Sequence, residues 1–134
     1  MTEKGQSRNM ELKSRAEMDS AYQWDLTPVF ADRDAWEAAY AAAEQAVERI
    51  PALAGTLGAS PEAMRQGLDT IYQTLQAVER VYLYASLLKN SDNGDAAYQQ
   101  MEGKAMNLYV AMSTACAFLD PEILALPEET LARY

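Results

Sequence analysis

The sequence predicts an all-α fold, an antiparallel bundle of three long helices with short helical pieces at the C-terminus. Two observations carry this prediction. Apolar residues recur at alternating spacings of three and four over three separate stretches, which places them on one face of a helix. Segments containing Pro, Gly, Asn or Asp separate these stretches, and such segments reverse the chain. Helices with this 3–4 pattern pack at small angles, so an up-down-up bundle follows.

The central helix is predicted over Ser60–Lys89, and the other helices are expected to pack along it. Ser60 is a favourable N-cap and Pro61 suits the first helical position. The half from Val81 to Leu88 is apolar on several faces and should be covered on more than one side. The predicted apolar face of the whole helix consists of Met64, Leu68, Ile71, Leu75, Val78, Tyr82 and Ala85.

The first long helix is predicted over Arg33–Arg49, with Asp32 or Asp34 as its N-cap and Pro51 as its end. Its apolar face consists of Trp36, Tyr40, Ala43, Val47 and Ile50.

The third long helix is predicted over Asp95–Leu119, after a turn at Asn90–Gly94. Its apolar face consists of Tyr98, Met101, Ala105, Leu108, Met112, Ala115 and Leu119. Asp120-Pro121 is expected to break this helix, which leaves short helical pieces over Pro121–Leu126 and Pro127–Tyr134.

Residues 1–20 are polar and weakly periodic, and we predict a flexible or partner-dependent segment there. Residues 21–134 are predicted to form one helical domain, since the length suits a single core. At its start, an irregular anchor is expected to tuck four apolar side chains against the bundle. These are Trp24, Leu26, Val29 and Phe30.

Composition excludes several classes of function. The net charge of −9 disfavours binding to nucleic acid, whose phosphates require a basic surface. Histidine is absent, which excludes Ser-His-Asp and Cys-His nucleophile systems and an H-E-x-x-H zinc site within this chain. The longest uncharged run, Ala105–Leu119, is too short and polar to span a bilayer. The first residues lack the apolar stretch of a secretory signal, so a cytoplasmic location is expected.

A few side chains invite a chemical interpretation. Glu44, Glu48, Glu79 and Glu102 lie on predicted helices, where a metal site competes with the simpler explanation of a solvated face. Cys116, the single cysteine, has no nearby histidine or cluster of positive charge, so we expect a buried apolar role rather than a nucleophile. No catalytic, cofactor-binding or metal-binding residue is therefore predicted in this chain.

Tyrosines leave a binding surface open as an alternative to core packing. A tyrosine ring can pack in a bundle while its hydroxyl reaches solvent or a backbone carbonyl, and it can equally line a peptide-binding groove. The tyrosines in question are Tyr72, Tyr82, Tyr84, Tyr98 and Tyr109.

Three separated stretches taken together resemble the N-terminal region of the oligoendopeptidase F family of zinc metallopeptidases. The first comprises Arg15–Glu17, Trp24–Phe30 and Trp36; the second comprises Arg80–Ala85, Asp92 and Asn93; the third comprises Phe118–Leu126, Leu131 and Tyr134. Their order and spacing make the resemblance more specific than any one of them alone.

The resemblance implies a helical N-terminal lobe that walls a channel for short peptides, with the catalytic zinc in a separate C-terminal lobe. That lobe would hold zinc through H-E-x-x-H and a downstream glutamate, none of which maps onto this sequence. The parent protein would be a peptide hydrolase, whereas this chain alone should be inactive. The alternative is a free-standing helical interaction module that forms a homodimer and so covers its surplus apolar surface.

Overall fold

The computed structural model describes residues 12–134, and within that range it contains helices and turns but no strand. The helices are α1 (Arg33–Arg49), α2 (Pro61–Ser91), α3 (Ala96–Ala115), α4 (Leu119–Leu124) and α5 (Glu128–Leu131), with 3-10 turns at Arg15–Glu17, Ser20–Tyr22 and Ile50–Leu53. The all-α prediction is confirmed.

α2 lies at the centre of the bundle and packs against both α1 and α3, which also contact each other. Contacts between α2 and α3 show that these helices are antiparallel. Lys89 near the end of α2 pairs with Glu102 near the start of α3 at 2.7 Å. Tyr82, earlier in α2, packs on Tyr109, later in α3.

Each long helix begins at a side-chain cap that the sequence makes available. The Asp32 carboxylate accepts a hydrogen bond from the backbone N–H of Ala35 at 2.8 Å, at the start of α1. The Ser60 hydroxyl accepts one from Ala63 at the start of α2, and Asp95 caps α3 in the same way. These caps satisfy N–H groups that lack a partner inside the helix. The predicted bounds of α1 are confirmed, and α2 ends two residues later than predicted.

The predicted end of the third long helix is wrong. α3 stops at Ala115, and the backbone N–H of Leu119 donates to the carbonyl of Cys116, which forms a tight turn. α4 then begins at Leu119, so Pro121 lies in its first turn and does not break a helix. Proline is tolerated there because first-turn N–H groups have no helical partner to lose.

The buried face of α2 also differs from the predicted one. Leu68, Leu75 and Tyr82 are only partly buried. The residues that face the core are Gly67, Ile71, Thr74, Val78, Val81, Ala85 and Leu88, together with Tyr84. Thr74 is polar and Gly67 has no side chain, so the hydrophobic pattern could not place either of them on the buried face.

Gly67 and Thr74 are buried for identifiable reasons. Leu57, in the α1–α2 connection, is fully buried and lies where a side chain on Gly67 would project. The Thr74 hydroxyl donates to the carbonyl of Thr70 at 2.8 Å, which satisfies its polar group inside the helix. The absence of a Cβ at residue 67 therefore lets the connection pack directly on α2.

The irregular segment before α1 is anchored as predicted at Leu26 and Phe30, which are buried, and at Val29, which is partly buried. The prediction for Trp24 is wrong, since 56% of its surface is exposed. The anchor meets α2 through Arg80.

Arg80 joins the anchor to α2 through two contacts. Its guanidinium donates a hydrogen bond to the carbonyl of Val29 and lies 4.7 Å from the centre of the Phe30 ring. Phe30 in turn packs edge-on against Tyr84, with ring centres 5.4 Å apart. A cation over an aromatic face and an edge-to-face ring pair are both favourable contacts.

The C-terminal helical pieces are fastened to the α1–α2 connection. The Glu122 carboxylate of α4 accepts hydrogen bonds from the backbone N–H groups of Gly55, at 2.7 Å, and Leu57, at 2.9 Å. The Tyr134 hydroxyl donates to the carbonyl of Gly58 at 2.8 Å. These contacts place α4 and α5 at the end of the bundle where α2 begins.

Residues 12–20 lie beside the α2–α3 turn. The backbone N–H of Arg15 donates to the Asp92 carboxylate at 2.8 Å, and its guanidinium donates to the carbonyl of Trp24 at 2.7 Å. The rest of the segment that we predicted to be flexible or partner-dependent, residues 1–11, lies outside the described residues. The flexible or partner-dependent character of residues 1–20 therefore stays a prediction.

Candidate functional site

A groove runs along α2 on the side that borders α3, and we call it the seam groove. Its first part has a volume of about 250 Å³ and is lined by residues that include Tyr72, Leu75, Tyr109, Met112, Cys116 and Leu119. Its second part has a volume of about 580 Å³ and is lined by residues that include Glu79, Arg80, Tyr82, Leu83, Leu87 and Tyr109. Tyr109 borders both parts, so they adjoin.

The seam groove brings together three of the five tyrosines that the sequence offered for a binding surface. Tyr72 is 58% exposed and Tyr109 is 40% exposed. The rings of Tyr82 and Tyr109 pack across the helices with centres 6.1 Å apart. These rings present an apolar face and a hydroxyl at the same surface, which is a common feature of binding sites.

The other two tyrosines belong to the core. Tyr84 is buried against Phe30, and burial raises the pKa of its phenol because the charged form loses hydration. Tyr98 is half-buried and packs against the core cluster. The groove interpretation and the core interpretation therefore each apply to a different subset of the tyrosines.

Further apolar side chains extend the exposed surface around the seam groove. Leu83 is 48% exposed on α2, and Met106 and Val110 are 43% and 56% exposed on α3. Apolar residues of this size are usually covered when they cluster, because their contact with water is unfavourable. The sequence pointed to this region through two stretches that are apolar on several faces, Val81–Leu88 on α2 and Met106–Phe118 on α3, but it did not show which side chains of either stretch line the groove.

A second hollow, of about 630 Å³, lies between residues 12–17 and the α2–α3 turn at Asp92–Asp95. Its lining is mainly polar, and Leu12 beside it is 94% exposed. This hollow offers little apolar contact to a ligand. The seam groove is therefore the stronger candidate, although each of its two parts has a smaller volume than this hollow.

The four glutamates considered for a metal site do not converge. Glu44, Glu48 and Glu79 are exposed, while Glu102 pairs with Lys89. Within residues 12–134, no three side chains from His, Cys, Asp and Glu lie close enough together to hold one metal ion. Glu44 also contributes to a raised pKa of the Tyr40 phenol, whose main cause is burial.

Cys116 lines the first part of the seam groove and is half-buried. Burial raises the pKa of its thiol, so less of the reactive thiolate is present at neutral pH. It packs against the core cluster, in agreement with the apolar role that we predicted.

None of the helices within residues 12–134 is long and apolar enough to cross a bilayer.

The fold and the seam groove define a helical-bundle domain with an exposed apolar surface between two of its helices. No family model matches the chain, and no solved structure matches it. Curated relatives do match. The chain is 33% identical over 115 residues to Group B oligopeptidase PepB of Streptococcus agalactiae, which corresponds to 86% of this chain and 19% of that protein.

Two further relatives also match most of this chain and about a fifth of their own length. Oligopeptidase PepF of Bacillus subtilis is 28% identical over 124 residues, which is 92% of this chain and 18% of that protein. The chromosomal oligoendopeptidase F of Lactococcus lactis subsp. cremoris is 31% identical over 125 residues, which is 92% of this chain and 21% of that protein. The chain is thus homologous to the oligoendopeptidase F family of peptidases, as its resemblance predicted, and spans about a fifth of the length of these relatives.

Proposed function

We propose that this chain is the N-terminal helical lobe of a cytoplasmic zinc metallopeptidase of the oligoendopeptidase F type, which hydrolyses short peptides. The observation that carries the proposal is the extent of the similarity. It covers 86–92% of this chain, and it covers only about a fifth of relatives whose names describe oligopeptidases and oligoendopeptidases. The remaining length of such a relative is ample for a catalytic lobe.

In this proposal the lobe walls the channel that admits the peptide substrate. The bundle suits that role because its elements are tied together, with Glu122 fastening α4 to the α1–α2 connection and Arg80 fastening the anchor to α2. A wall needs a fixed shape, and packed helices joined by such contacts provide one.

Zinc would be held outside this chain. A catalytic zinc site requires three protein ligands around one ion and activates a bound water for attack on the peptide carbonyl. The residues here do not fit that requirement, because histidine is absent from the sequence and the glutamates of residues 12–134 do not converge. In this proposal the ligands of the catalytic zinc therefore come from the rest of the parent protein.

A first test uses the purified chain of residues 1–134. We expect it to leave a panel of fluorogenic oligopeptides uncut at neutral pH, with or without added zinc, because it lacks a ligand set for the metal. Oligopeptidase PepF of Bacillus subtilis in the same assay serves as the positive control. Cleavage that requires zinc and co-purifies with the chain would contradict the proposal.

A second candidate function is a free-standing interaction module that forms a homodimer. The exposed apolar surface of the seam groove favours it, since a second copy would cover that surface. Light scattering across a range of protein concentrations separates the two candidates. A stable dimer of the purified chain supports the module, whereas a monomer supports the lobe.

A further inference from the structure

We infer that the seam groove is the surface on which an amphipathic helix from the rest of the parent polypeptide docks, packing against α2 and α3 as an additional helix of the bundle. This inference rests on the proposed function and names the part of the lobe that meets its partner. Three features support it, namely the shape of the groove, its charge and its place in the chain.

The shape of the groove suits a helix. The first part is lined by residues 71–75 of α2 together with residues of α3, and the second by residues 76–87 of α2 together with Tyr109, so the hollow is elongated along α2. Tyr72 and Leu83 border it on α2 at a separation of three helical turns, and Tyr109 lies between the two parts on α3. A furrow between two packed helices accepts the apolar ridge of a third at the small crossing angles of bundles.

The charge of the groove favours an apolar occupant that is not a second copy of this chain. Glu79 and Arg80 line it, one of each sign, and the Arg80 guanidinium is already bound to the carbonyl of Val29. The chain as a whole carries a net charge of −9. Two copies that met across the groove would bring two such charges together, and that repulsion opposes dimerisation, most strongly at low salt.

The place of the groove in the chain identifies the source of the helix. The chain spans about a fifth of the length of its curated relatives, so most of such a polypeptide lies outside the matched stretch. Leu119 of α4 lines the first part of the groove, and α4 and α5 lie toward that end of the bundle. Under the proposed function, a polypeptide that continues after α5 therefore leaves the lobe at the end of the bundle nearer the first part of the groove.

The test measures binding between the chain of residues 1–134 and the polypeptide encoded directly downstream of it in the gene, by isothermal titration calorimetry. The unaltered chain should bind with a ratio of one to one. The double variant Tyr72→Gln, Leu83→Gln should bind at least about tenfold more weakly, because both side chains would lie in the buried centre of the interface. Leu124→Gln is the matched control, since Leu124 is 82% exposed on α4 and does not line the groove. It should bind within about twofold of the unaltered chain.

Equal affinity of the double variant and the unaltered chain overturns the inference, while leaving the proposed function in place. A dimer of the isolated chain that the double variant dissociates overturns it in favour of a second copy. If the downstream polypeptide does not fold alone, hydroxyl-radical footprinting of the intact gene product replaces the titration. Tyr72 and Leu83 should then be oxidised more slowly than in residues 1–134, and equal rates overturn the inference. A reading frame that stops at Tyr134 would contradict the proposed function itself, and not only this inference.

Discussion

Trp36→Ala is expected to lower the free energy of unfolding of the chain by about 3–5 kcal/mol, the usual cost of removing a fully buried aromatic side chain. Trp36 has no exposed surface. Its indole N–H donates to the carbonyl of Val81 at 2.9 Å, which links α1 to α2, and its ring packs on Tyr40. The substitution leaves a cavity between two helices and also removes this link. Urea titration followed by far-UV circular dichroism measures the change.

Trp24→Ala is the matched control for Trp36→Ala. Both variants remove an indole, but Trp24 is 56% exposed and its hydrogen bond from Arg15 uses the backbone carbonyl, which alanine retains. We therefore expect a cost below about 1 kcal/mol. Equal losses at the two positions would contradict the assignment of the larger tryptophan contact to the α1–α2 interface.

Gly67→Ala is expected to destabilise the chain by about 1–2 kcal/mol, although alanine normally stabilises a helix relative to glycine by about 1 kcal/mol. A Cβ on residue 67 would overlap a terminal methyl group of the Leu57 side chain, which is fully buried. Either Leu57 leaves its position or α2 moves away from the connection. The same denaturation assay measures the loss.

Gly103→Ala, on α3, is the matched control for Gly67→Ala, because it replaces a helical glycine where no side chain is in the way. Gly103 is exposed, and none of the residues surrounding it in the described structure comes within 4 Å of the Cβ position. Its replacement should stabilise the chain by about 0.5–1 kcal/mol through helix propensity alone. Similar stabilisation by both substitutions would mean that Leu57 does not pack closely on α2.

Local signals in the sequence were sufficient to predict the long helices. The bounds of α1 and the caps at Asp32 and Ser60 follow from residues next to one another in the chain, so no tertiary information was needed. The end of α3 could not be placed in the same way, because apolar residues continue through Phe118 and Leu119 across the turn. The apolar period does not distinguish one helix from two that share a core.

The exact face that α2 buries depends on its neighbours, which the period of its apolar residues does not describe. Gly67 is buried because Leu57 approaches it, and Thr74 because its hydroxyl is satisfied within the helix. For the candidate site, the count of tyrosines indicated a binding surface but not which ones form it. Tyr84 turns inward because Phe30 packs on that side of α2, a contact between distant parts of the sequence.

The stretches that carried the family resemblance make structural contacts in this chain. Arg80, in the second stretch, binds the carbonyl of Val29 in the first. Glu122, in the third, binds two backbone N–H groups of the α1–α2 connection. Both residues therefore join separate parts of the bundle.

The most direct test of the proposed function is peptide hydrolysis by the complete gene product compared with residues 1–134 alone. The complete product should cleave fluorogenic oligopeptides, lose that activity on treatment with a zinc chelator and recover it when zinc is restored, while residues 1–134 stay inactive. A complete product that leaves these peptides uncut when loaded with zinc would contradict the account, as would zinc-dependent cleavage by residues 1–134.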